Sequence, residues 1–118
     1  MQTYLTEKRH TGNDGQLFDV RLSTLCEGKM AGARAIDVWN GGNLFFTILP
    51  DRGMDLYTAR FRNKNIAFHT PSGFASPQYY NDDGAKWLRS FGGGLMVTCG
   101  LQNIGSPDPA NPDAPLHG

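Results

Sequence analysis

The residues best suited to chemistry lie in the last third of the chain. Arg89 precedes three consecutive glycines, Gly92–Gly94, and His117 follows further along. A guanidinium carries fixed hydrogen-bond donors, whereas an imidazole can donate or accept and titrates near neutral pH. The glycines let backbone approach a neighbour closely. This combination suits recognition of a polyhydroxylated ligand, so Arg89 and His117 are the candidate substrate-binding residues.

Other residues in this region have simpler explanations. Gly92–Gly94 have no lysine or phosphate-loop spacing beside them, which favours close strand packing or ligand access over phosphate binding. Cys99 has no local base to activate it and is expected to be a small buried thiol. His69 follows a short apolar strand and is expected at a strand end on the surface. His10 lies in a polar turn and is expected to be inert.

Two further groups are expected to serve the structure. Arg52 stands between Asp51 and Asp55 and is expected to pin a turn by pairing with either carboxylate. The aromatic pair Trp87 and Phe91 is expected to anchor its loop in the core. Two adjacent acids, Asp82 and Asp83, lack further oxygen ligands at metal-site spacing, so neither a metal nor another cofactor is expected.

Composition argues against several classes of function. The 118 residues carry 11 Lys+Arg and 11 Asp+Glu, whereas nucleic-acid and anionic-membrane partners require a basic surface. No apolar stretch approaches the roughly 20 residues that span a bilayer, and no secretory signal is visible. Cys26 and Cys99 lie far apart, in no metal-ligand spacing, which favours reduced thiols in a cytoplasmic protein. Residues 1–118 form one domain at most, or a piece of a larger one.

The first 70 residues predict short strands. Residues 17–23 alternate apolar and polar side chains, as in a strand with one wet face. Its apolar face would carry Phe18, Val20 and Leu22. A second alternating segment covers residues 36–39, and Asn40–Asn43 is a strong hairpin signal.

The following strands complete the predicted fold. Residues 44–49, LFFTIL, are apolar on both faces and predict a strand covered on both sides. Residues 54–62 alternate again, and residues 63–65 are expected to turn into a short strand at 66–68. Five strands with hairpin-scale connections indicate an antiparallel sandwich or barrel, so the fold class is all-β.

The remaining residues lack this periodicity. Residues 74–84 hold aromatic side chains that need somewhere to pack, which predicts an ordered loop. Residues 85–91 are expected to form one or two helical turns. The proline-rich residues 101–118 are expected to be loop.

Four motifs occur in order along the chain: DRGMD at 51–55, WLRSFGGGL at 87–95, TCGLQNIG at 98–105 and LHG at 116–118. Together they resemble the N-terminal part of a bacterial family of uncharacterised proteins related to the aldose 1-epimerases, the galactose mutarotase-like proteins. The resemblance runs from about Gly15 to the end. It implies an antiparallel β-supersandwich with a sugar cleft on one face, of which residues 1–118 would be an incomplete N-terminal portion.

The resemblance also implies roles for two residues. In aldose 1-epimerases an arginine before a glycine-rich strand and a histidine in a later HG motif line the sugar site, and Arg89 and His117 are similar by position. The implied substrate is a monosaccharide, free, modified or phosphorylated. Mutarotation needs a general base at the anomeric hydroxyl and a general acid at the ring oxygen. In the superfamily both groups lie beyond the HG motif, so they are expected downstream of this chain.

Three functions therefore stay open. The first is an aldose 1-epimerase-like isomerase that interconverts the anomers of a monosaccharide. The second is a non-catalytic carbohydrate-binding protein of the same fold. The third is a structural half-domain that needs a partner chain, because an incomplete sandwich leaves strand edges and apolar faces uncovered. Such a half-domain would form a homo-oligomer or pair with another chain.

Overall fold

The computed structural model describes residues 7–81, 83–97, 105–106 and 108–114. Seven strands and five short 3-10 helices lie within these residues. The strands are β1 (Asp19–Thr24), β2 (Arg34–Trp39), β3 (Leu44–Leu49), β4 (Asp55–Phe61), β5 (Lys64–Asn65), β6 (Phe68–His69) and β7 (Gly93–Gly94). The 3-10 helices span Asp14–Gln16, Gly28–Met30, Pro50–Arg52, Pro77–Tyr79 and Gly84–Ser90.

The strands form two antiparallel sheets. Strands β1 to β5 lie in chain order in a five-stranded sheet, and β6 pairs with β7 in a two-stranded one. Sequential antiparallel order follows from the short connections, since a tight turn can only return the chain alongside the strand it has left. The predicted all-β, sandwich-like antiparallel fold is confirmed. No helix among the described ranges is long and apolar enough to cross a membrane.

The hairpin predicted at Asn40–Asn43 joins β2 to β3. The Asn40 side-chain oxygen accepts hydrogen bonds from the backbone N–H groups of Gly42, at 2.9 Å, and Leu44, at 3.2 Å. Gly41 has φ 74°, and a Cβ there would lie 1.6 Å from the Leu17 carbonyl oxygen. Only glycine fits this position, which ties the hairpin to the residue that leads into β1.

The turn after β4 and the strands that follow it lie at other residues than predicted. The turn falls at Arg62 and Asn63, both with positive φ, and not at residues 63–65. Two-residue turns with positive φ at both positions match the twist of antiparallel strands, so β5 begins at once with Lys64. The Asn65 side chain then bonds both backbone groups of Ala67, which ends β5 and moves the next strand from 66–68 to 68–69.

A β-bulge interrupts the pairing of β3 with β4. Phe46 lies opposite Ala59 and Ile48 opposite Leu56, so two residues of β4, Tyr57 and Thr58, face the single residue Thr47. The extra residue breaks the alternation of side chains along β4.

The core lies on one face of the five-stranded sheet, at the end where β2 begins and β3 finishes. It consists of Ala33, Ala35, Leu49 and Phe74, with Leu25, Met30 and Tyr57 packed around it. Phe74 comes from the aromatic segment that follows β6, and it is 4% exposed. Phe74 packs as predicted for this segment, but residues 77–79 form a short 3-10 helix, and Tyr79 and Tyr80 are exposed.

The opposite face of the sheet is apolar but poorly covered. Directly opposed residues of an antiparallel pair lie on the same face. Register therefore groups Val20, Leu22, Ile36, Val38, Phe46 and Ile48. Within β1 the exposed fraction is 62% for Val20 and 63% for Leu22. The alternation predicted in β1 is present, but its apolar side faces solvent.

Candidate functional site

Arg89 lies near the end of the 3-10 helix Gly84–Ser90 and is exposed. Within the described part of the chain, no hydrogen bond, ion pair or ring contact involves its guanidinium. A guanidinium carries five N–H donors in a fixed, planar arrangement, which a ligand can engage. The other candidate substrate-binding residue, His117, lies outside the described residues, as do Cys99 and Asp82.

The backbone next to Arg89 is bound by a side chain from the short 3-10 helix between β3 and β4. Arg52 Nη1 donates a hydrogen bond of 3.0 Å to the carbonyl oxygen of Ser90, and Arg52 Nε lies 3.8 Å from Asp55 Oδ2. Ser90 and Asp55 are both buried. The expectation that Arg52 pins a turn through a neighbouring aspartate is confirmed, and the same side chain also anchors the helix that carries Arg89.

A second set of hydrogen bonds holds the backbone of Phe91 and Gly92. Thr70 Oγ1 donates to the carbonyl oxygen of Phe91 at 2.6 Å, and Ser72 Oγ donates to it at 3.2 Å. Thr70 N–H donates to the Gly92 carbonyl at 3.0 Å. Trp87 and Phe91 pack edge to face, with ring centroids 5.4 Å apart and both rings partly buried. The segment after Arg89 is thus fixed through hydrogen bonds to its main-chain carbonyls. The two rings pack on each other, and neither belongs to the core cluster in which they were expected to anchor the loop.

The three glycines are explained by contact between backbones. A Cβ on Gly92 would lie 2.9 Å from Phe74 backbone atoms. On Gly93 it would lie 2.6 Å from the Phe68 carbonyl oxygen, and on Gly94 2.6 Å from that of Leu56. Real side chains do not tolerate such distances, so β7 can approach both β6 and β4 only because it is made of glycine. Close strand packing, one of the two explanations favoured from sequence, is confirmed.

His69 and Tyr57 form a stacked pair next to these glycines. His69 lies opposite Gly93 in the β6–β7 pair, and its ring stacks on Tyr57 with centroids 4.7 Å apart and planes 16° apart. His69 Nε2 lies 3.3 Å from the Tyr57 carbonyl oxygen, to which it donates. The Tyr57 hydroxyl accepts from the Phe74 N–H at 3.2 Å. His69 is an exposed strand-end residue, as expected, but Tyr57 carried no sequence signal because the bulge decides its direction.

The two aspartates of the DRGMD motif have different arginine partners. Asp51 does not pair with Arg52. Instead the Arg34 side chain donates to Asp51 Oδ1, at 2.9 Å from Nε, and the Arg34 backbone N–H donates to Oδ2 at 2.7 Å. The side-chain hydrogen bonds, together with the backbone hydrogen bond, lower the pKa of Asp51 because they favour the carboxylate. The side-chain hydrogen bonds and the negative charge of Asp51 raise the pKa of Arg34 because they favour the guanidinium. Asp51 thereby joins the start of β2 to the turn after β3.

No group of three or more His, Cys, Asp or Glu side chains is arranged to hold a metal ion among the residues described above. Asp83 pairs with Lys86 within one turn of the 3-10 helix. Cys26 is exposed and has a free thiol.

The fold and site define an all-β protein in which a short 3-10 helix presents an arginine next to a closely packed glycine segment. Residues 30–118 match the family described as Domain of unknown function (DUF4432), and the chain belongs to this family. The match includes all four sequence motifs and both candidate substrate-binding residues. No curated protein and no solved structure matches the chain.

Proposed function

We propose that this chain is the monosaccharide-binding portion of an aldose 1-epimerase-like protein of the DUF4432 family. Arg89 donates hydrogen bonds to sugar hydroxyls, and His117 orients the same ligand. The catalytic acid and base come from residues downstream of the motif at 116–118. The observation that carries this proposal is the exposed guanidinium of Arg89, which has no partner among the described residues although the carbonyls of the next two residues, Ser90 and Phe91, are held by hydrogen bonds.

Anchoring matters because sugar recognition depends on donors held in fixed positions. The carbonyls of Ser90 and Phe91 are fixed by Arg52 and Thr70, so the backbone next to Arg89 loses little freedom when a ligand binds. The side chain itself still has to become ordered. A guanidinium also stabilises negative charge that builds on a sugar oxygen during ring opening. These properties fit orientation of a pyranose better than proton transfer, since arginine stays protonated.

Binding is tested by titrating the chain with a panel of monosaccharides and hexose 6-phosphates and following amide chemical shifts. We expect shifts in residues 84–94 and affinity that falls about tenfold in Arg89→Ala, the loss typical of a hydrogen bond from a charged donor. Arg60→Ala is the matched control, because Arg60 is also exposed but lies on β4. Equal losses in the two variants, or no shifts with any sugar, would contradict the assignment of Arg89.

Catalysis is tested separately, by the optical rotation of a freshly dissolved pure anomer. A protein that includes the downstream acid and base speeds its decay if it is an aldose 1-epimerase. A protein without them, as proposed for residues 1–118 alone, binds the sugar and leaves the decay unchanged. If this chain speeds the decay and neither Arg89→Ala nor His117→Ala alters the rate, the site assignment is wrong.

A structural half-domain is the second candidate, and the uncovered face of β1 favours it. Val20 and Leu22 are more than half exposed, although apolar strand residues are normally covered. A half-domain of this kind elutes as an oligomer from a sizing column and shows no response to any sugar. A monomeric, sugar-responsive chain would exclude it.

A further inference from the structure

The two edges of the five-stranded sheet differ in kind. Among the described residues, β5 ends the sheet on one side with two residues, one of them Lys64, and β1 ends it on the other with six. Short, lysine-bearing edges resist pairing with other chains, whereas long regular edges invite it. The β5 edge is therefore protected and the β1 edge is not.

Strand β1 has the features of a pairing edge. It contains neither proline nor glycine, and all six residues pair with β2 in unbroken register. Its apolar side chains, Val20 and Leu22, are exposed, and its charged side chains, Asp19 and Arg21, alternate with them on the other face. Asp19 and Arg21 already form an exposed ion pair of 2.8 Å within the chain.

The sequence of β1 is complementary to itself in one antiparallel register. With the two-fold axis at Val20, Asp19 of each copy lies opposite Arg21 of the other, and Val20 lies opposite itself. Leu22 then faces Phe18, which immediately precedes the strand. Opposite charges and paired apolar side chains at directly facing positions stabilise antiparallel strands. The two-fold axis generates each of these facing pairs twice in the dimer, apart from the Val20–Val20 pair on the axis itself.

Neighbouring registers lose this match. An axis at Arg21 sets that arginine against its own copy, and like charges directly opposite are destabilising. An axis at Leu22 sets Arg21 against Ser23. An axis between two residues joins the apolar face of one sheet to the polar face of the other, because a one-residue slip reverses every side chain.

We propose that β1 pairs with β1 of a second copy about a two-fold axis at Val20, joining the two five-stranded sheets into one. The occupant of this edge is a second copy because the charges of the strand complement its own reversed sequence. This pairing does not depend on sugar binding, so its test and the test of the proposed function can give different outcomes.

Charge reversal tests the pairing. Arg21→Asp makes the strand edge wholly acidic and Asp19→Arg makes it wholly basic, so each variant sets like charges against its own copy. In sedimentation across a concentration series we expect each alone to dimerise about tenfold or more weakly than the wild type. A mixture of the two restores the dimer, because every facing pair is then of opposite charge. Circular dichroism of each variant checks that it folds.

Disulfide trapping tests the register in a background with Cys26→Ser and Cys99→Ser. Val20→Cys places two thiols at the axis and should form a covalent dimer under oxidising conditions. Leu22→Cys is the matched control because it is equally exposed, yet in this register its two thiols lie about four residues apart along the strands, beyond the reach of a disulfide.

Three results would overturn the proposal. The wild type staying monomeric at every concentration would do so, whether another segment such as residues 1–6 covers the edge or the edge stays free. A dimer that neither charge variant weakens would indicate face-to-face packing instead. Trapping through Leu22→Cys but not Val20→Cys would place the axis elsewhere.

Discussion

Asp51 and Asp55 each bind an arginine, and the two pairs connect different parts of the fold. They flank one arginine in the sequence, yet Arg52 pairs with Asp55, and Asp51 is bound by Arg34, 17 positions earlier. Asp51 also accepts from the backbone N–H at the start of β2. One motif therefore secures two places at once, the entry to β2 and the helix that carries Arg89.

The Asp51 pairing predicts a pH dependence of stability. The pKa of Asp51 is lowered by its hydrogen bonds from Arg34, so folding favours the ionised carboxylate. The stability gained is present above the ordinary aspartate pKa of about 3.9 and is lost as pH falls through the lowered value. The difference in free energy of unfolding between wild type and Asp51→Asn should therefore be largest near neutral pH and shrink below about pH 4.

Urea denaturation between neutral and strongly acidic pH measures this difference. Asp113→Asn controls for the loss of one carboxylate, because Asp113 lies on an exposed loop. A difference that grows on acidification would show that the Arg34–Asp51 pair does not stabilise the fold.

Among the elements, the 3-10 helix Gly84–Ser90 depends most on contacts from outside itself. It buries a single residue, Ser90, and it has no side-chain cap at its N-terminus. A 3-10 helix of this length has poorer hydrogen-bond geometry than an α-helix, so it needs tertiary support. Arg52 supplies that support at the Ser90 carbonyl, and Thr70 holds the carbonyl of the next residue, Phe91.

Removing the Arg52 side chain should loosen this helix more than the sheet. In Arg52→Ala the Ser90 carbonyl loses its charged donor, which is worth about 1.5–3 kcal/mol. We expect amide exchange in residues 86–91 to rise about tenfold or more, with smaller changes in β2 and β3. Hydrogen–deuterium exchange measures both regions in one sample. Arg60→Ala is the control, and an equal rise across the whole sheet would show that Arg52 supports the fold generally.

For the whole molecule, stability depends on a small core. Three of its four central residues are alanine or leucine from the sheet region, and the fourth, Phe74, comes from the segment after β6. Phe74 therefore gives the glycine segment a second connection to the main sheet, besides the approach of Gly94 to Leu56. Its ring also lies 5.5 Å from that of Tyr57, between centroids.

Phe74→Ala should cost about 3–5 kcal/mol, the range for truncating a buried phenylalanine. Since small domains have only about 5–15 kcal/mol in total, this variant should unfold at a clearly lower urea concentration than the wild type. Phe68→Ala is the matched control: Phe68 is 66% exposed and its truncation should change stability by about 0.5 kcal/mol or less. Urea denaturation followed by tryptophan fluorescence compares the two. Equal midpoints would place the core elsewhere.

Local chemistry accounts for most of the strand order. Alternation and turn residues predicted β1 to β4, the hairpin at Asn40–Asn43 and the helical turns before the glycines. These features depend on side-chain period and on which residues accept positive φ, and both properties belong to short stretches of chain. The boundary near β5 was misplaced because Arg62, which sequence alone does not favour in a left-handed turn, adopts positive φ there.

For the site, sequence alone selected Arg89 and the close packing of Gly92–Gly94. Sugar binding, the roles of Arg89 and His117 and the cytoplasmic location stay predictions. Tertiary structure decided which aspartate pairs with Arg52, where the bulge turns Tyr57, and which face of β1 meets solvent. These depend on atoms brought together from distant positions, so no local pattern encodes them, whereas turns and strands need only neighbours along the chain.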